Sequence, residues 1–332
     1  MSYQSAATVA AAPPPDLAKL RPLEALPWAA ALAFYVLAPG YEPLATQVFV
    51  MILFALSLNL LVGFSGIVTL GHAALFGTGA YTAGLLAVNG VNDPLVTALC
   101  GTAAAAAIGL VTGALVLRTK GLALLMLTMA ANFLLYELAN KATHITGGDD
   151  GLQGVSFSAV FGLFAFDFRG QTAYFYTLAV LFLAFFAMRR LINSPFGWSL
   201  RGIRENDARM RALGCPIYQR RLVAYVIASA MAGLAGALQA QATQFVAMHV
   251  LSFQLSADIL IMLILGGVGR LYGAFIGVPV YMLAQDMLAK QDPANWYLWQ
   301  GVILLLITFF APGGVMGLLE KVVAVIKGRP RS

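Results

Sequence analysis

The chain has 332 residues, 60% of them hydrophobic and only 10% charged, with a mean hydropathy of +0.82. Soluble domains carry roughly 25% charged residues, so this composition excludes an ordinary soluble enzyme and describes an all-α polytopic membrane protein. The formal charge of +6 fits the same reading, because membrane proteins gather Lys and Arg in cytoplasmic loops, and it calls for no nucleic-acid partner.

Residues 1–25, with the proline triplet Pro13 to Pro15, read as a flexible cytoplasmic tail rather than a cleaved signal peptide, since no charged start precedes a long apolar core. Apolar runs follow at 24–39, 44–63, 72–89, 94–117, 121–139, 172–188, 222–241, 254–269, 271–288 and 297–317. Each is long or nearly long enough to cross the hydrocarbon core, which needs about 20 residues of helix, so about ten spans are expected. They form one membrane domain over 26–319, followed by a basic cytoplasmic tail at 320–332.

The loop 189–221 holds eight arginines and is therefore cytoplasmic. Counting spans outward from it puts Lys19, Arg21, Arg118, Lys120, Arg270 and the basic tail on the same side, with both termini inside. The other face receives Lys141, Arg169 and Lys290 with Asp93, Asp149, Asp150, Asp167 and Asp292, which makes 140–171 an extracytoplasmic segment. Gly101, Ala105, Gly109 and Gly113 fall four apart, as do Ala228, Ala232 and Gly236. That spacing predicts close helix packing, with a specific dimer face as the alternative. A weak echo, 200 residues apart, superposes Gly66 on Gly266, Ala74 on Ala274, Gly77 on Gly277 and Tyr81 on Tyr281, either a parallel internal repeat or chance.

The ionisable residues Glu137, Asp258 and Asp286 lie near the outer ends of their spans, so the midplane is nearly free of charge. This counts against an ion-coupled carrier, though backbone carbonyls alone can bind sodium. Asn59, Thr128, Asn132, Tyr136, Tyr225, Ser229, Gln239 and Tyr281 read first as interhelical hydrogen-bond partners and second as pathway residues. The dipeptide Gly-Lys is absent, which rules out a phosphate-binding loop of the G-x-x-x-x-G-K-[ST] type. No HExxH, CxxC or G-x-S-x-G occurs, and His72, His144 and His249 are dispersed, so neither catalytic residues nor a metal or cofactor site is expected.

Within the arginine-rich loop, Glu205 to Leu213 is predicted to form a short helix, with Asn206 or Asp207 favouring its start and Gly214 and Pro216 stopping it. Its mixed charge suits docking to a protein better than lying on anionic lipid. The stretch GFSGIVTLGHAALFGTGAYTAG, 63–84, carries six glycines in an apolar background. It is predicted to break at the inner end of the second span, with Ser65, Thr69 and His72 near an inner mouth. With Asn59, Tyr81, Asn132 and Tyr136 these residues are candidates for a translocation path, simple tight packing being the rival.

Four ordered motifs carry a family resemblance. LVGFSGIVTLGHAALFGTGAYTAGLL resembles the amino-terminal signature of permease subunits of branched-chain amino acid ABC importers. FGWSLRGIRENDARMRALGCPIYQRRLVAYVIASAMAGLAGAL resembles their cytoplasmic loop, a variant of the glutamate-alanine-alanine-glycine motif that engages the ATPases. THITGGDDGLQGV and LILGGVGRLYGAFIGVPV also match, and the TGG-x-x-G segment is similar to that of the larger of two non-identical membrane subunits. The resemblance implies ATPase docking by Glu205, Asp207, Ala208 and Gly214, flanked by Arg201 and Arg204. It also implies a sister permease, two ATP-binding cassette subunits holding ATP and Mg, an extracytoplasmic solute-binding protein and a place in the bacterial inner membrane. The chain departs from the family at Ile67, Val68 and Thr69, where Gln-Leu-Ser is usual, which leaves urea, short amides or aromatic acids open as substrates, and at Arg209, which replaces the second alanine. A stand-alone facilitator is the other reading of a charge-free midplane.

Overall fold

The computed structural model describes residues 26–37, 40–160 and 170–292, together with positions 162, 164, 295, 298, 299, 301, 302, 314 and 317. The predicted tails at 1–25 and 320–332 lie outside the described residues, as does nearly all of the predicted tenth span at 297–317. Residues 1–39 and 40–332 form separate units. Of the first, the apolar helix α1 (Leu26–Leu37) is described, with none of its residues buried.

In the second unit, α2 (Glu42–Asn59) starts with Pro43 in its first turn, where a missing N–H costs nothing, and runs without a break into a π-helical turn over Leu60–Ser65. Gly66 ends the turn in the left-handed region (φ 69°), a conformation open to glycine, and frees the chain for the irregular stretch that precedes α3 (His72–Val88). The helix α4 (Pro94–Val116) opens with Asp93, whose carboxylate accepts from the N–H groups of Leu95 and Val96. Next come α5 (Leu122–Lys141), the single turn α6 (Thr143–Thr146) with a 3-10 turn at Gly148–Asp150, and α7 (Gln171–Ile192). Beyond it lie α8 (Pro195–Glu205), α9 (Asp207–Ala212), α10 (Ile217–Thr243), a 3-10 turn at Met248–Leu251, α11 (Phe253–Gly266) and α12 (Gly273–Gln291). Among the described residues the only β pairings are isolated bridges, Leu152 with Val246 and Val160 with Phe164. Among the described residues, five helical segments are long and apolar enough to cross a bilayer: Glu42–Ser65, Pro94–Val116, Leu122–Lys141, Gln171–Ile192 and Ile217–Thr243.

The core is a contact of three small-residue faces. On α4 the buried positions include Thr97, Gly101, Ala105, Gly109 and Gly113, one every fourth residue, so they line a single stripe. A methyl group on Gly101 would come within 2.8 Å of the Gly79 carbonyl on α3 and 3.2 Å of Ala237 on α10. A methyl on Gly79 would collide with the Gly233 backbone, and one on Gly236 with the Phe76 carbonyl. In lipid, apolar side chains gain little by meeting each other, and backbones brought this close supply the dispersion contacts that hold helices together. The predicted packing role of the four-residue spacing holds. Beside this core α2 is almost wholly buried, with Phe54 against Phe76 at 4.6 Å and Phe49 against Tyr174 at 5.1 Å between ring centroids. The helix α5 is the opposite case: Leu124, Thr128 and Asn132 are its only buried residues.

Contacts gather the helix ends predicted to be cytoplasmic at one end of the bundle. Lys120 meets Asp207, Arg221 meets Asp207, and Asn59 meets Arg270. The two echoing segments occupy like places, each closing a helix, turning on glycine and opening the next helix, at His72 and at Gly273. At the other end, the 142–160 segment returns over the bundle, pairing Leu152 with Val246 and Ser158 with the Asn92 carbonyl. Gly147 and Gly151 there both take positive φ.

The helix predicted within Glu205 to Leu213 is α9, and it starts at Asn206 as expected; what the expectation lacked is α8 before it, at Pro195–Glu205, the two being separated at Asn206, which is extended (φ −156°, ψ 101°). Its side chain accepts from the Arg209 N–H at 2.9 Å and so caps α9 while ending α8.

Candidate functional site

The arginine-rich end is built around α8. Ser194 accepts from the Gly197 N–H and Pro195 occupies the first turn, which starts the helix. Leu200 and Ile203 then fall on one face and are buried against the bundle. That packing places Arg201 and Arg204 at the seam. The Arg201 guanidinium lies over the rings of Phe64 (5.3 Å) and Trp198 (5.1 Å). Arg204 Nη1 donates to the Gly63 carbonyl in the π turn, and its stem rests on Gly66. A helix end leaves its last carbonyls without donors, and Arg204 supplies one of them.

The π turn is also tied to the α11–α12 loop. Asn59 Nδ2 donates to the Arg270 carbonyl at 2.8 Å, and Asn59 Oδ1 accepts from the Gly269 N–H at 2.9 Å. Gly63 sits against Gly269 so closely that a side chain there has no space. One turn of helix thus joins α2, α8 and the loop between α11 and α12.

A second link holds α9. Asp207 Oδ2 accepts from Lys120 Nζ at 2.8 Å, and the same carboxylate receives Arg221 Nη2 at 2.9 Å and Nη1 at 3.3 Å. Burial alone raises the Asp207 carboxyl, but the hydrogen bond from Lys120 and the charges of Arg221 and Lys120 outweigh it and hold the group below its ordinary value. The α4–α5 turn, α9 and the start of α10 are clamped together by one carboxylate.

Of the six residues predicted to dock an ATPase, three therefore direct their functional groups inward: Arg201, Arg204 and Asp207. Glu205, Ala208 and Gly214 face outward, joined by Arg209, Arg211, Ala212 and Leu213, the last 74% exposed.

The candidate path residues form two groups. Near the π turn, Ser65 Oγ donates to the Leu60 carbonyl at 2.9 Å and Thr69 Oγ1 accepts from the Gly71 N–H at 3.2 Å. His72 stacks on Phe54 with 5.4 Å between centroids, and its Nε2 lies 2.8 Å from Ser57 Oγ. Because the Ser57 hydroxyl donates to the Phe54 carbonyl at 2.6 Å, His72 Nε2–H is the donor in this pair. Asn59 belongs to the same end of α2. The second group surrounds the 3-10 turn: Tyr81 OH donates to Met248 Sδ at 3.2 Å, Asn132 Nδ2 donates to the Leu251 carbonyl at 3.1 Å, and Tyr136 lies half-buried on the same helix as Asn132. Sequence reasoning missed Ser57, Lys120 and Arg221 as partners, since Lys120 and Asp207 are 87 positions apart and no spacing connects them.

The family described as branched-chain amino acid transport system / permease component matches residues 40–309. The chain is 26% identical over 319 residues to the high-affinity branched-chain amino acid transport system permease protein LivM of Salmonella typhimurium, covering 90% of this chain and 75% of that one. It is 28% identical over 305 residues to LivM of Escherichia coli, covering 85% and 71%. A probable branched-chain amino acid transport permease protein LivM of Methanocaldococcus jannaschii is 29% identical over 180 residues, covering 50% and 52%. No solved structure matches. With membrane-length apolar helices among its described residues and this family match over most of its length, the chain belongs to the branched-chain amino acid transport permease family.

Proposed function

We propose that this chain is the larger of two non-identical membrane subunits of an ATP-driven, binding-protein-dependent importer in the bacterial cytoplasmic membrane. It forms half of the translocation pathway for branched-chain or other small apolar amino acids. The observation that carries this reading is the division of labour in α8 and α9. An exposed strip of Glu205, Ala208, Arg209, Arg211 and Leu213 is available to a partner, while Arg201, Arg204 and Asp207 behind it grip the bundle.

In this mechanism ATP and Mg are held by two separate cassette subunits, and their closure displaces α9. The Asp207 clamp passes the displacement to the α4–α5 turn and to α10, and Arg204 passes it to the π turn of α2. The close contacts among α3, α4 and α10 make those helices move together, because packed interfaces shift as units rather than deform. A sister permease completes the path, and an extracytoplasmic solute-binding protein delivers the substrate. The scarcity of midplane charge suits a small ligand without net charge.

The test is uptake by the reconstituted complex. Leu213→Asp and Ala208→Arg, both on the exposed strip, are expected to abolish ATP-dependent uptake and the copurification of cassette subunits without lowering the melting temperature. Normal coupling in both variants would remove the docking assignment. Uptake by this chain alone, with no cassette subunit present, would establish a stand-alone facilitator instead. Competition by leucine, urea, short amides and aromatic acids defines the substrate class.

A further inference from the structure

Beyond α10 the chain does not stay at the end of the bundle where that helix stops. It descends along α3: Val246 packs on Gly84, Met248 Sδ accepts from Tyr81 OH, Leu251 packs on Gly77, and Ser256 Oγ accepts from the Ala73 N–H at 2.9 Å. The eleven positions from Gly84 to Ala73 are about 16 Å of helix, so α11 opens well inside the bundle, behind non-helical backbone. At membrane depth such backbone is tolerated only where protein or a water-filled cavity satisfies it. The helices α11 and α12 then form an antiparallel pair, Gly266 against Gly273 and Met262 against Gly277, and the next contact up the pair is Tyr281 OH donating to Asp258 Oδ1 at 2.7 Å. Asp258 stands eight residues before the end of α11 and Tyr281 eight after the start of α12, about 12 Å above the loop between them. Against a hydrocarbon core of about 30 Å, that is near the middle, not at the outer end where the apolar run at 254–269 put Asp258.

Charge at this depth is costly and faces a cavity or the interior of an assembly rather than lipid. Among the described residues the groups in reach of the carboxylate are Tyr281, Gln254 and His249, so no fixed cation answers it. Gln254 Nε2 donates at 3.0 Å to the same Oδ1 as Tyr281. Oδ2 accepts no hydrogen bond among the described residues and is not enclosed, and Asp258 is half-buried. Two donors on one oxygen fix the carboxyl group and leave the other oxygen open, an arrangement that stands ready whether or not a cation is present. Gln254, Asp258 and Ile261 share one face of α11, and none of the three is buried.

We propose that Asp258 Oδ2 is the acceptor for the α-ammonium group of a small amino acid midway across the membrane. Tyr281 and Gln254 hold the carboxylate through Oδ1, and Ile261, one turn below, offers apolar surface to an aliphatic side chain. The inference rests on the amino acid transport reading above and names the residue of this chain that recognises the substrate.

The test uses the complex purified with this chain, in nanodiscs, with Ile261→Cys as reporter. Maleimide labelling is read by mass spectrometry on the peptide carrying position 261, so thiols elsewhere do not contribute. Leucine and 3-methylbutylamine, which keeps the ammonium but lacks the carboxylate, are expected to slow labelling; 4-methylpentanoate, which lacks the ammonium, is not. Asp258→Asn keeps Oδ1 for its two donors and puts an amide nitrogen in place of Oδ2. It should raise the half-protecting leucine concentration about tenfold or more, the loss of one charge-assisted hydrogen bond, with the melting temperature and the copurifying subunits unchanged. Loss of a copurifying membrane subunit in Asp258→Asn with leucine protection unchanged would make the carboxylate an interface ion pair, and protection by sodium against choline but not by leucine would make it an inorganic cation site; either overturns the proposal. A position 261 that maleimide never reaches, or equal protection by all three compounds, while the complex still takes up leucine overturns the site and leaves the transport reading standing. Protection by leucine and the amine in a complex that moves no aliphatic amino acid keeps the site and overturns the transport reading.

Discussion

Replacing Asp207 by Asn removes the charge of the α9 clamp while keeping its shape and one acceptor oxygen. The helix has six residues, none of them buried, far short of the about 12–15 at which an isolated helix is even marginal. Its order therefore depends on its Asn206 cap and on the two cations that meet Asp207. Hydrogen bonds to charged groups are worth about 1.5–3 kcal/mol each when sheltered. The Lys120 side chain is 59% exposed and its share falls toward about 0–1 kcal/mol, whereas that of Arg221 is only 17% exposed and keeps more. The expected loss is about 1–2 kcal/mol, a factor of about 5–30 in the opening equilibrium of α9. Amide hydrogen exchange on peptides covering 207–212 reads this directly, and peptides from α3, α4 and α10 should stay as protected as in the parent chain. Exchange in 207–212 within about twofold of the parent would refute the claim that this carboxylate holds the helix.

The same clamp has a pH signature. Because Asp207 is held below its ordinary 3.8 in the folded chain, its contribution is present above 3.8 and disappears only as pH falls through the lowered value. Exchange in α9, corrected for intrinsic chemistry, should be flat from pH 8 to pH 5 and rise only in stronger acid. Arg204→Ala should lower ATP-dependent uptake about tenfold, the worth of one charge-assisted hydrogen bond, while cassette subunits still copurify; Arg209→Glu, on the outward strip, should lose both. Gly79→Ala places a methyl against the Gly233 backbone, and overpacking of about 1–3 kcal/mol outweighs the helix-propensity gain of about 1 kcal/mol. It should melt several degrees lower in a thermal-stability assay, whereas Ala103→Val on the exposed face of α4 should not.

The long spans were legible because hydropathy and length act locally: 94–117 and 121–139 became α4 and α5 almost to the residue, and the four-residue spacing of small residues identified the packed stripe on α4. Tyr281 was correctly expected to bond between helices, since an unpaired polar group in hydrocarbon is costly, and its OH donates to Asp258 at 2.7 Å; Asn59 and Asn132 reach instead the α11–α12 loop and the 3-10 turn, and Ser229 donates to the Tyr225 carbonyl of its own helix. The helix α8 was read as loop although Ser194 and Pro195 mark its start, because two glycines and two arginines among eleven residues weaken propensity and only burial of Leu200 and Ile203 secures it. The inward aim of Arg201, Arg204 and Asp207 was beyond sequence reasoning, which assigns charge in a cytoplasmic loop to the surface; their partners lie on segments far apart in the chain.

The π turn at Leu60–Ser65 has a geometric consequence for how α2 can respond to a push from α8. Its hydrogen bonds run from i to i+5 rather than i to i+4, so the turn accommodates one more residue than the same stretch of α-helix would. Tightening that turn to α geometry advances the chain beyond it by one position, which rotates everything downstream by about 100° with a rise of about 1.5 Å. A pull on the Gly63 carbonyl can therefore be converted into twist about the axis of a helix that stays straight and buried, and deleting any single residue of 60–65 would lock that screw at one end of its travel.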